Sequence, residues 1–210
     1  MVRIICLICV KVKGMYRTFL KRGLDFTLSL IGLVVLMPVF LVIGLWIKLD
    51  SRGPVFFRQK RIGMKKKEFY LYKFRTMRID TPRDTPTHLL QNPKSYITNC
   101  GKFLRLTSLD ELPQLYNIIR GEMSIVGPRP ALWNQDDLVA ERDRLKVNDV
   151  RPGLTGWAQV NGRDELPIPV KAALDGEYVR KLSLWMDVKC LFKTVVCVIM
   201  RKNVVEGGIK

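Results

Sequence analysis

The chain has 210 residues, and this length suits one modest domain with an appended segment. Lys and Arg number 36 against 19 Asp and Glu, for a formal net charge of +17. This excess favours anionic partners, namely nucleic acid, an anionic membrane surface or phosphorylated substrates. The 5 cysteines are odd in number and lack the spacing of a disulfide framework, so we expect free thiols of a reducing compartment.

Residues 1–15 form an N-terminal extension whose role the sequence leaves open. A short apolar run follows Arg3, but it has no small-residue cleavage site of the kind that ends a signal peptide. Met15 is an alternative start of the chain. We assign no function to this extension.

The next segment, residues 16–50, is dominated by an uncharged apolar run from Phe26 to Ile47. The run is long enough for a membrane helix. Pro38 lies just past its middle, where it removes a backbone hydrogen bond and favours a kink or break. The carbonyls freed at the bend need hydrogen-bond donors, for which Ser29, packed protein and local water are the candidates.

Basic residues lie on both sides of the apolar run. They are Arg17, Lys21 and Arg22 before it, and Lys48, Arg52, Arg58, Lys60 and Arg61 after it. Cationic flanks prefer the cytoplasmic side of a membrane. We therefore predict a re-entrant helix, bent at Pro38, that enters and leaves by the same face. A straight span with a kink is the alternative.

Residues 51–210 are predicted to form a small mixed α/β domain, so the fold class is α+β with a monotopic membrane anchor. Two strands are expected at Val55–Gln59 and Phe69–Phe74, separated by a basic turn. Helices are expected at Leu112–Arg120, which ends at Gly121, and at Ala131–Val147. Residues 183–200 are predicted to form an amphipathic helix, either on the membrane surface or packed on the core.

Two adjacent carboxylates, Asp110 and Glu111, stand at the start of a predicted helix. Pro113 is tolerated only in the first turn, so the helix begins close to Asp110. A helix N-terminus stabilises anions, both carboxylates and phosphates. The alternative is a simple helix cap, because Ser108 and Glu111 match the S-x-x-E capping box.

Arginines around the dyad, three of them beside proline or glycine, favour a phosphate site over a simple cap. They are Arg105, Arg129 between Pro128 and Pro130, Arg151 before Pro152-Gly153, and Arg163 after Gly162. Stiff turns suit a bidentate grip of guanidinium groups on phosphate oxygens. The sequence therefore predicts a site that handles phosphate esters.

An ordered series of motifs resembles the small monotopic phosphoglycosyl transferases, bacterial sugar transferases of polysaccharide and glycoprotein biosynthesis. The matching stretches are KRGLDF (21–26), RGPVFFRQKRIG (52–63), YKFRTM (72–77), LRLTSLDELPQL (104–115), GEMSIVGPRP (121–130), RPGLTGWAQVNGR (151–163) and LWMDVK (184–189). The resemblance covers the chain from Tyr16 onward.

The resemblance implies a two-step transfer at the carboxylate dyad. The aspartate, Asp110, attacks the sugar-bearing phosphate of a UDP-sugar and expels UMP, which leaves a phosphosugar-aspartyl ester. Polyprenol (undecaprenyl) phosphate then attacks this ester and yields a polyprenyl diphosphosugar. Such a reaction initiates polysaccharide or glycoconjugate biosynthesis at the cytoplasmic face of the bacterial inner membrane.

The resemblance also implies roles for the other matched residues. Mg²⁺ is the expected metal, associated with Asp110, while Glu111 either takes a proton from the lipid phosphate or positions the metal. Pro128-Arg129-Pro130 corresponds to a nucleotide-binding motif, and Arg105 and Arg163 to phosphate-binding positions. The segment after Arg163 departs from the Trp-containing stretch of many relatives, which leaves the donor sugar open, as are the pathway and the oligomeric state.

Other functional classes remain open on the sequence. A glycosyltransferase that releases UDP is one, although no D-x-D metal motif is present. A non-catalytic basic module that binds anionic lipid is another, and it leaves the dyad among arginines unexplained. Nucleic-acid binding rests on net charge alone.

Overall fold

The computed structural model describes residues 14–81, 95–162 and 166–200, and helices predominate in it. A π-helical turn, Tyr16–Leu20, precedes the first α-helix. The α-helices are α1 (Lys21–Val35), α2 (Met37–Asp50), α3 (Asn99–Thr107), α4 (Gln114–Ile119), α5 (Asp136–Arg144), α6 (Trp157–Val160), α7 (Ile168–Lys181) and α8 (Leu184–Ile199). The strands are β1 (Phe56–Ile62), β2 (Glu68–Phe74), β3 (Ser124–Val126), β4 (Ala131–Leu132) and β5 (Gly153–Thr155).

Two small sheets lie among these helices. One is antiparallel with the order β2-β1-β4, and the other pairs β3 and β5 in parallel. The predicted hairpin is confirmed, although β1 continues to Ile62 and the turn after it is a short 3₁₀ helix, Met64–Lys66. The α+β prediction is confirmed as a mixed α/β architecture.

The pleat of β2 decides which of its side chains face the core. Phe69 and Leu71 are buried in an apolar cluster with Ile118 of α4 and with Met123. Because side chains alternate along a strand, Lys73 lies on the same face as these two residues. The strand therefore carries a cation on its buried side.

Helices α1 and α2 form a bent pair. They meet at Leu36 with an angle of 60° between them, and Pro38 occupies the first turn of α2. In a continuous helix the Pro38 ring would clash with the carbonyl of Val34, so the break precedes the proline by two residues. The predicted break near Pro38 is confirmed.

Within the part of the chain that the structure describes, neither α1 nor α2 alone is long and apolar enough to cross a membrane, whereas the bent pair passes that test together. Ile43 and Ile47 of α2 pack against Phe74 and Leu104. The outward side chains of both helices are exposed; they include Leu28, Ile31, Val34, Val35, Leu41, Val42, Leu45 and Leu49. The pair thus presents an apolar surface that the described residues leave uncovered.

Ser29 does not support the bend. Its hydroxyl is fully buried and makes no hydrogen bond to any described residue. It lies in the middle of α1, whereas the chain breaks at Leu36. The idea that Ser29 satisfies carbonyls at the bend is therefore wrong.

Helix α8 confirms the helix predicted over residues 183–200. Ser183 caps it through a hydrogen bond from the Met186 backbone N–H. One face packs on the core through Met186 and Cys190. The opposite face exposes large apolar residues, namely Trp185, Val188, Phe192, Val195 and Ile199. Core packing, one of the two predicted environments, accounts for the first face.

A buried carboxylate joins α8 to the start of the chain. Asp187 accepts hydrogen bonds from Tyr16 Oη at 2.6 Å, from Tyr178 Oη at 2.7 Å and from Lys21 Nζ at 2.6 Å. Burial, together with the charge of Asp187, raises the pKa of the Tyr178 phenol well above its ordinary value. Both phenols therefore act as donors to the carboxylate at neutral pH.

Some elements differ from the sequence-based expectation. The predicted helix Ala131–Val147 is wrong in extent, because β4 occupies its first residues and α5 covers only Asp136–Arg144. Helices α3 and α7 were not predicted. Helix α7 buries Asp175 and Gly176 beside its apolar residues, so its core-facing side is not a simple apolar stripe.

The described cysteines are free thiols, as expected: Cys100, Cys190 and Cys197. Burial raises the pKa of the Cys100 thiol to about 11 and that of the Cys190 thiol to about 12. Both are therefore protonated and behave as small apolar core residues. Cys6 and Cys9 lie outside the described residues.

We predict that Asp187→Ala lowers the free energy of unfolding by about 3–5 kcal/mol, because it leaves the largely buried Lys21 ammonium without its 2.6 Å partner. Tyr16→Phe removes a single hydroxyl donor and should cost about 1 kcal/mol. Chemical denaturation of detergent-purified protein measures both values. Equal losses of unfolding free energy in the two variants would contradict a central role of the Asp187 carboxylate in this group of contacts.

Candidate active site

The Asp110–Glu111 dyad lies in a tight turn between two helices. Helix α3 ends at Ser108, whose backbone is left-handed with φ of 57°. A 3₁₀ turn, Leu109–Glu111, follows, and α4 begins after Pro113. Both carboxylate residues are buried, at 5% and 7% exposure. The dyad is predicted at a helix N-terminus; a helix does follow it closely, but both carboxylates lie in the preceding 3₁₀ turn and α4 begins only at Gln114.

The capping-box alternative is wrong. An N-cap residue has an extended backbone that aims its side-chain oxygen at the next free N–H groups. Ser108 is instead the left-handed residue that closes α3, and its side chain makes no capping hydrogen bond. The position of Glu111 three residues later is therefore not explained by capping.

Two cations from distant parts of the chain meet Glu111. Lys73 Nζ lies 2.8 Å from Glu111 Oε1, and Arg129 Nη1 lies 3.2 Å from the same oxygen. Lys73 Nζ is also 3.9 Å from Asp110 Oδ2. Charge-assisted hydrogen bonds of this kind are stronger than neutral ones, so they fix the orientation of the Glu111 carboxylate.

Sequence reasoning missed Lys73 as a site residue. It occurs in the matched YKFRTM stretch, but nothing marked it as different from the other basic residues. The available signal was its register: it follows Phe69 and Leu71 at a spacing of two, which puts a lysine on the buried face of a strand. Lysine is rarely buried unless it is paired.

The loop 127–130 holds Arg129 between two buried prolines. Its backbone is fixed on both sides, because Gly127 N–H donates to Thr155 O at 2.8 Å and Gly153 N–H donates to Pro128 O at 2.9 Å. Arg61 Nη1 donates to Pro130 O at 3.1 Å. The predicted stiff turn around Arg129 is confirmed.

Glycines allow this loop to approach β5 closely. A Cβ at Gly153 would collide with the backbone N of Gly127, and one at Gly156 would collide with the carbonyl of Gly127. Backbone therefore packs directly on backbone, which brings the 151–156 stretch against the loop that carries Arg129. The glycines of the 127–130 loop and of the 151–156 stretch are thus required sterically.

The other predicted arginines lie in three different places. Arg105 is in the last turn of α3, where its Nε donates to Thr76 Oγ1 at 2.9 Å. Arg151 donates from Nε to Gly121 O at 2.9 Å, which places it at the C-terminal end of α4 rather than at the dyad. Arg163 lies outside the described residues.

Arg22 shares the C-terminal end of α4 with Arg151. Its two terminal nitrogens donate to Ile118 O at 2.6 Å and to Ile119 O at 2.9 Å. Burial lowers the pKa of the Arg22 guanidinium, and the nearby charge of Arg151 lowers it further. These two arginines complement the negative end of the helix dipole.

The dyad has the donor chemistry of a phosphate and Mg²⁺ site. The described residues contain no group of three or more His, Cys, Asp or Glu that could enclose a metal. Mg²⁺, however, is usually held by one or two carboxylates together with substrate phosphates, and adjacent Asp110 and Glu111 satisfy that requirement. The surrounding cations would counter the negative charge of a bound diphosphate.

Residues 16–201 match the model of a protein family described as bacterial sugar transferase. The chain is 42% identical over 195 residues to the UDP-glucose:undecaprenyl-phosphate glucose-1-phosphate transferase of Xanthomonas campestris pv. campestris, covering 90% of this chain and 40% of that protein. It is 37% identical over 185 residues to an Aeromonas hydrophila UDP-N-acetylgalactosamine-undecaprenyl-phosphate N-acetylgalactosaminephosphotransferase, covering 84% of this chain and 43% of that protein.

A shorter relative matches along most of its length. The uncharacterized sugar transferase EpsL of Bacillus subtilis (strain 168) is 39% identical over 191 residues, which cover 91% of this chain and 90% of EpsL. The chain thus spans less than half of the first two relatives and nearly all of this one. The family match extends through the bent helix pair, the dyad and α8. The chain belongs to the bacterial sugar transferase family.

Proposed function

We propose that this protein transfers a sugar 1-phosphate from a UDP-sugar to undecaprenyl phosphate, releases UMP, and so initiates a bacterial polysaccharide or glycoconjugate. The observation that carries the proposal is the buried Asp110–Glu111 dyad with Lys73 and Arg129 on Glu111. The names of two relatives, which act on UDP-glucose or UDP-N-acetylgalactosamine and on undecaprenyl phosphate, support the same substrates.

The proposed chemistry has two displacements at one phosphorus atom. A carboxylate oxygen of Asp110 attacks the sugar-bearing phosphate, the bond from that phosphorus to the bridging oxygen breaks, and UMP leaves with its electron pair. An oxygen of undecaprenyl phosphate then attacks the same phosphorus and releases the Asp110 carboxylate. Division into two steps lets each phosphorylated substrate bind in turn.

Glu111 is assigned a positioning role in preference to that of a base. Its Oε1 atom already accepts from both Lys73 and Arg129, and these bonds favour the ionised, fixed carboxylate. Proton abstraction from the lipid phosphate would compete with these two bonds. The same pair of cations lies close enough to stabilise the diphosphate and the departing UMP.

Mg²⁺ and the remaining arginines complete the proposed site. Asp110 supplies the carboxylate for the metal, which would offset phosphate charge during transfer. Pro128, Arg129 and Pro130 form the proposed nucleotide-binding turn, supported by its fixed backbone. Arg105 and Arg163 are assigned to the phosphates.

The bent helix pair supports a re-entrant membrane anchor. Its break lies between two apolar helices with exposed side chains, and cationic residues flank both ends. The exposed apolar face of α8 supports contact with the same lipid surface. We assign residues 16–50 to the anchor and 51–210 to a catalytic domain on the cytoplasmic face of the inner membrane.

The central prediction concerns the released nucleotide. Detergent-purified protein with Mg²⁺, undecaprenyl phosphate and a panel of UDP-sugars should release UMP with one or a few donors. Asp110→Ala should abolish this release, and Asp110→Asn should do the same, because the amide is not a nucleophile. Separate assays of UMP and UDP distinguish the proposal from a glycosyltransferase, whose product would be UDP.

A covalent intermediate should also be detectable. Wild-type protein incubated with the active donor, without lipid acceptor, should gain the mass of a phosphosugar on the peptide that contains Asp110. Undiminished UMP release by Asp110→Ala would refute the nucleophile assignment.

Metal dependence provides a further prediction. EDTA in excess should suppress UMP release to background, and added Mg²⁺ should restore it, because two carboxylates and a diphosphate carry more negative charge than Lys73 and Arg129 balance. The readout is the initial rate of UMP formation at several Mg²⁺ concentrations. A rate that is insensitive to EDTA would exclude the proposed metal.

Lys73→Met is expected to lower kcat/KM by about 10- to 100-fold, the equivalent of one charge-assisted hydrogen bond. The matched control is Lys60→Met on the neighbouring strand. Lys60 forms an exposed ion pair with Glu68, and its loss should change kcat/KM by less than about twofold. Equal effects in both variants would show that Lys73 acts only through general charge.

A further inference from the structure

A buried ion pair lies behind the turn that carries Arg129. Arg142 of α5 and Asp175 of α7 are 3% and 1% exposed. Arg142 Nε and Nη2 donate to Asp175 Oδ2 at 3.0 Å and 2.6 Å. Removal of two charges from water is so unfavourable that such a pair often adds little net stability over an apolar pair. Its presence in the core therefore requires another explanation.

A third contact of Arg142 explains why the buried ion pair is present. Its Nη1 donates to the backbone carbonyl of Arg129 at 2.9 Å. Arg129 lies between two prolines, and proline has no backbone N–H. The adjacent backbone therefore offers fewer donors to carbonyls in this turn, and the Arg142 side chain supplies one. The guanidinium of Arg129 in turn reaches Glu111 at 3.2 Å. A continuous series of contacts thus runs from Asp175 through Arg142 and Arg129 to the dyad.

The planar guanidinium of Arg142 can point its third nitrogen in only one direction once the other two are bound. Asp175 holds two nitrogens of the planar Arg142 group, so the direction of the remaining Nη1–H is fixed. Burial raises the pKa of the Asp175 carboxyl, and the charge of Arg142 opposes that rise. Arg142 therefore favours the charged form of Asp175, and Asp175 holds the Arg142 guanidinium in place.

Attachment of helix α5 alone does not require this pair. The next residue, Asp143, already ties α5 to the β1–β2 turn through an exposed ion pair with Lys66, at 2.8 Å. Leu138 of the same helix is buried. These contacts anchor α5 without reference to Arg129.

We infer that Arg142 and Asp175 are positioning residues that orient Arg129 toward Glu111 and the nucleotide phosphates. They are assigned no contact with substrate or reacting atoms, and they act through the Arg129 backbone carbonyl. The inference rests on the proposed function, since it assigns a purpose to the orientation of Arg129. It predicts that loss of the pair affects substrate binding and turnover only while the Arg129 side chain is present.

A double-mutant cycle tests this dependence. The first change replaces the pair by apolar residues of similar size, Arg142→Met with Asp175→Leu, which a core generally tolerates. The second is Arg129→Ala, and the third variant combines both. The pair replacement should lower kcat/KM for the UDP-sugar about 10-fold in wild type, mainly through KM, and less than twofold in Arg129→Ala.

Stability measured on the same four proteins separates positioning from a structural role. The free energy of unfolding should change by the same amount in both backgrounds, because the Arg129 side chain is not part of the core that the pair occupies. Asp143→Asn is the matched control, since it removes the adjacent exposed ion pair of α5. Its kcat/KM should remain within twofold of wild type.

Additive effects on kcat/KM would overturn the positioning role. If the wild-type protein releases UMP but the effects on kcat/KM in the double-mutant cycle are additive, the proposed function stands and this inference alone is refuted. UMP affinity measured by calorimetry serves as a second readout, and it should show the same non-additivity. If the wild-type protein neither releases nor binds UMP, both proposals are overturned. If the pair replacement does not fold, Asp175→Asn, which keeps the shape of the site, takes its place in the cycle.

Discussion

The fold depends on one buried carboxylate, at which separate parts of the chain meet. Asp187 accepts from Tyr16, Lys21 and Tyr178, so the start of the chain, α7 and α8 converge on it. One turn further along α1, Asp25 accepts from Ser124 Oγ at 2.6 Å and from Ile125 N–H at 3.1 Å. These two acids attach the apolar helix pair to α7, α8 and β3, where hydrophobic packing alone would permit sliding.

The same attachment fixes where the chemistry can occur. Glu111 receives Lys73 from strand β2 and Arg129 from the loop after β3, which are 38 and 18 residues away in sequence. The two sheets deliver these cations, while close backbone packing at Gly153 and Gly156 sets the position of the second one.

Sequence patterns predicted the local features of this site and missed the long-range ones. Pro38 and Pro113 each restrict the backbone where they stand, so the helix break and the start of α4 could be read directly. Arg151 was grouped with the dyad by its motif, yet it binds the far end of α4. The roles of Lys73 and Asp175 depend on partners distant in sequence, and no local pattern encodes such pairing.

Helix α4 is held at both ends by different parts of the chain. The dyad turn precedes its first residue, and Arg22 from α1 grips its last carbonyls, Ile118 and Ile119. At a rise of 1.5 Å per residue, α4 is about 9 Å long. It therefore links the dyad turn to α1 over a short, rigid distance. Through Arg22, the position of Asp110 relative to the apolar helix pair is thus linked to α1, the helix that carries this arginine.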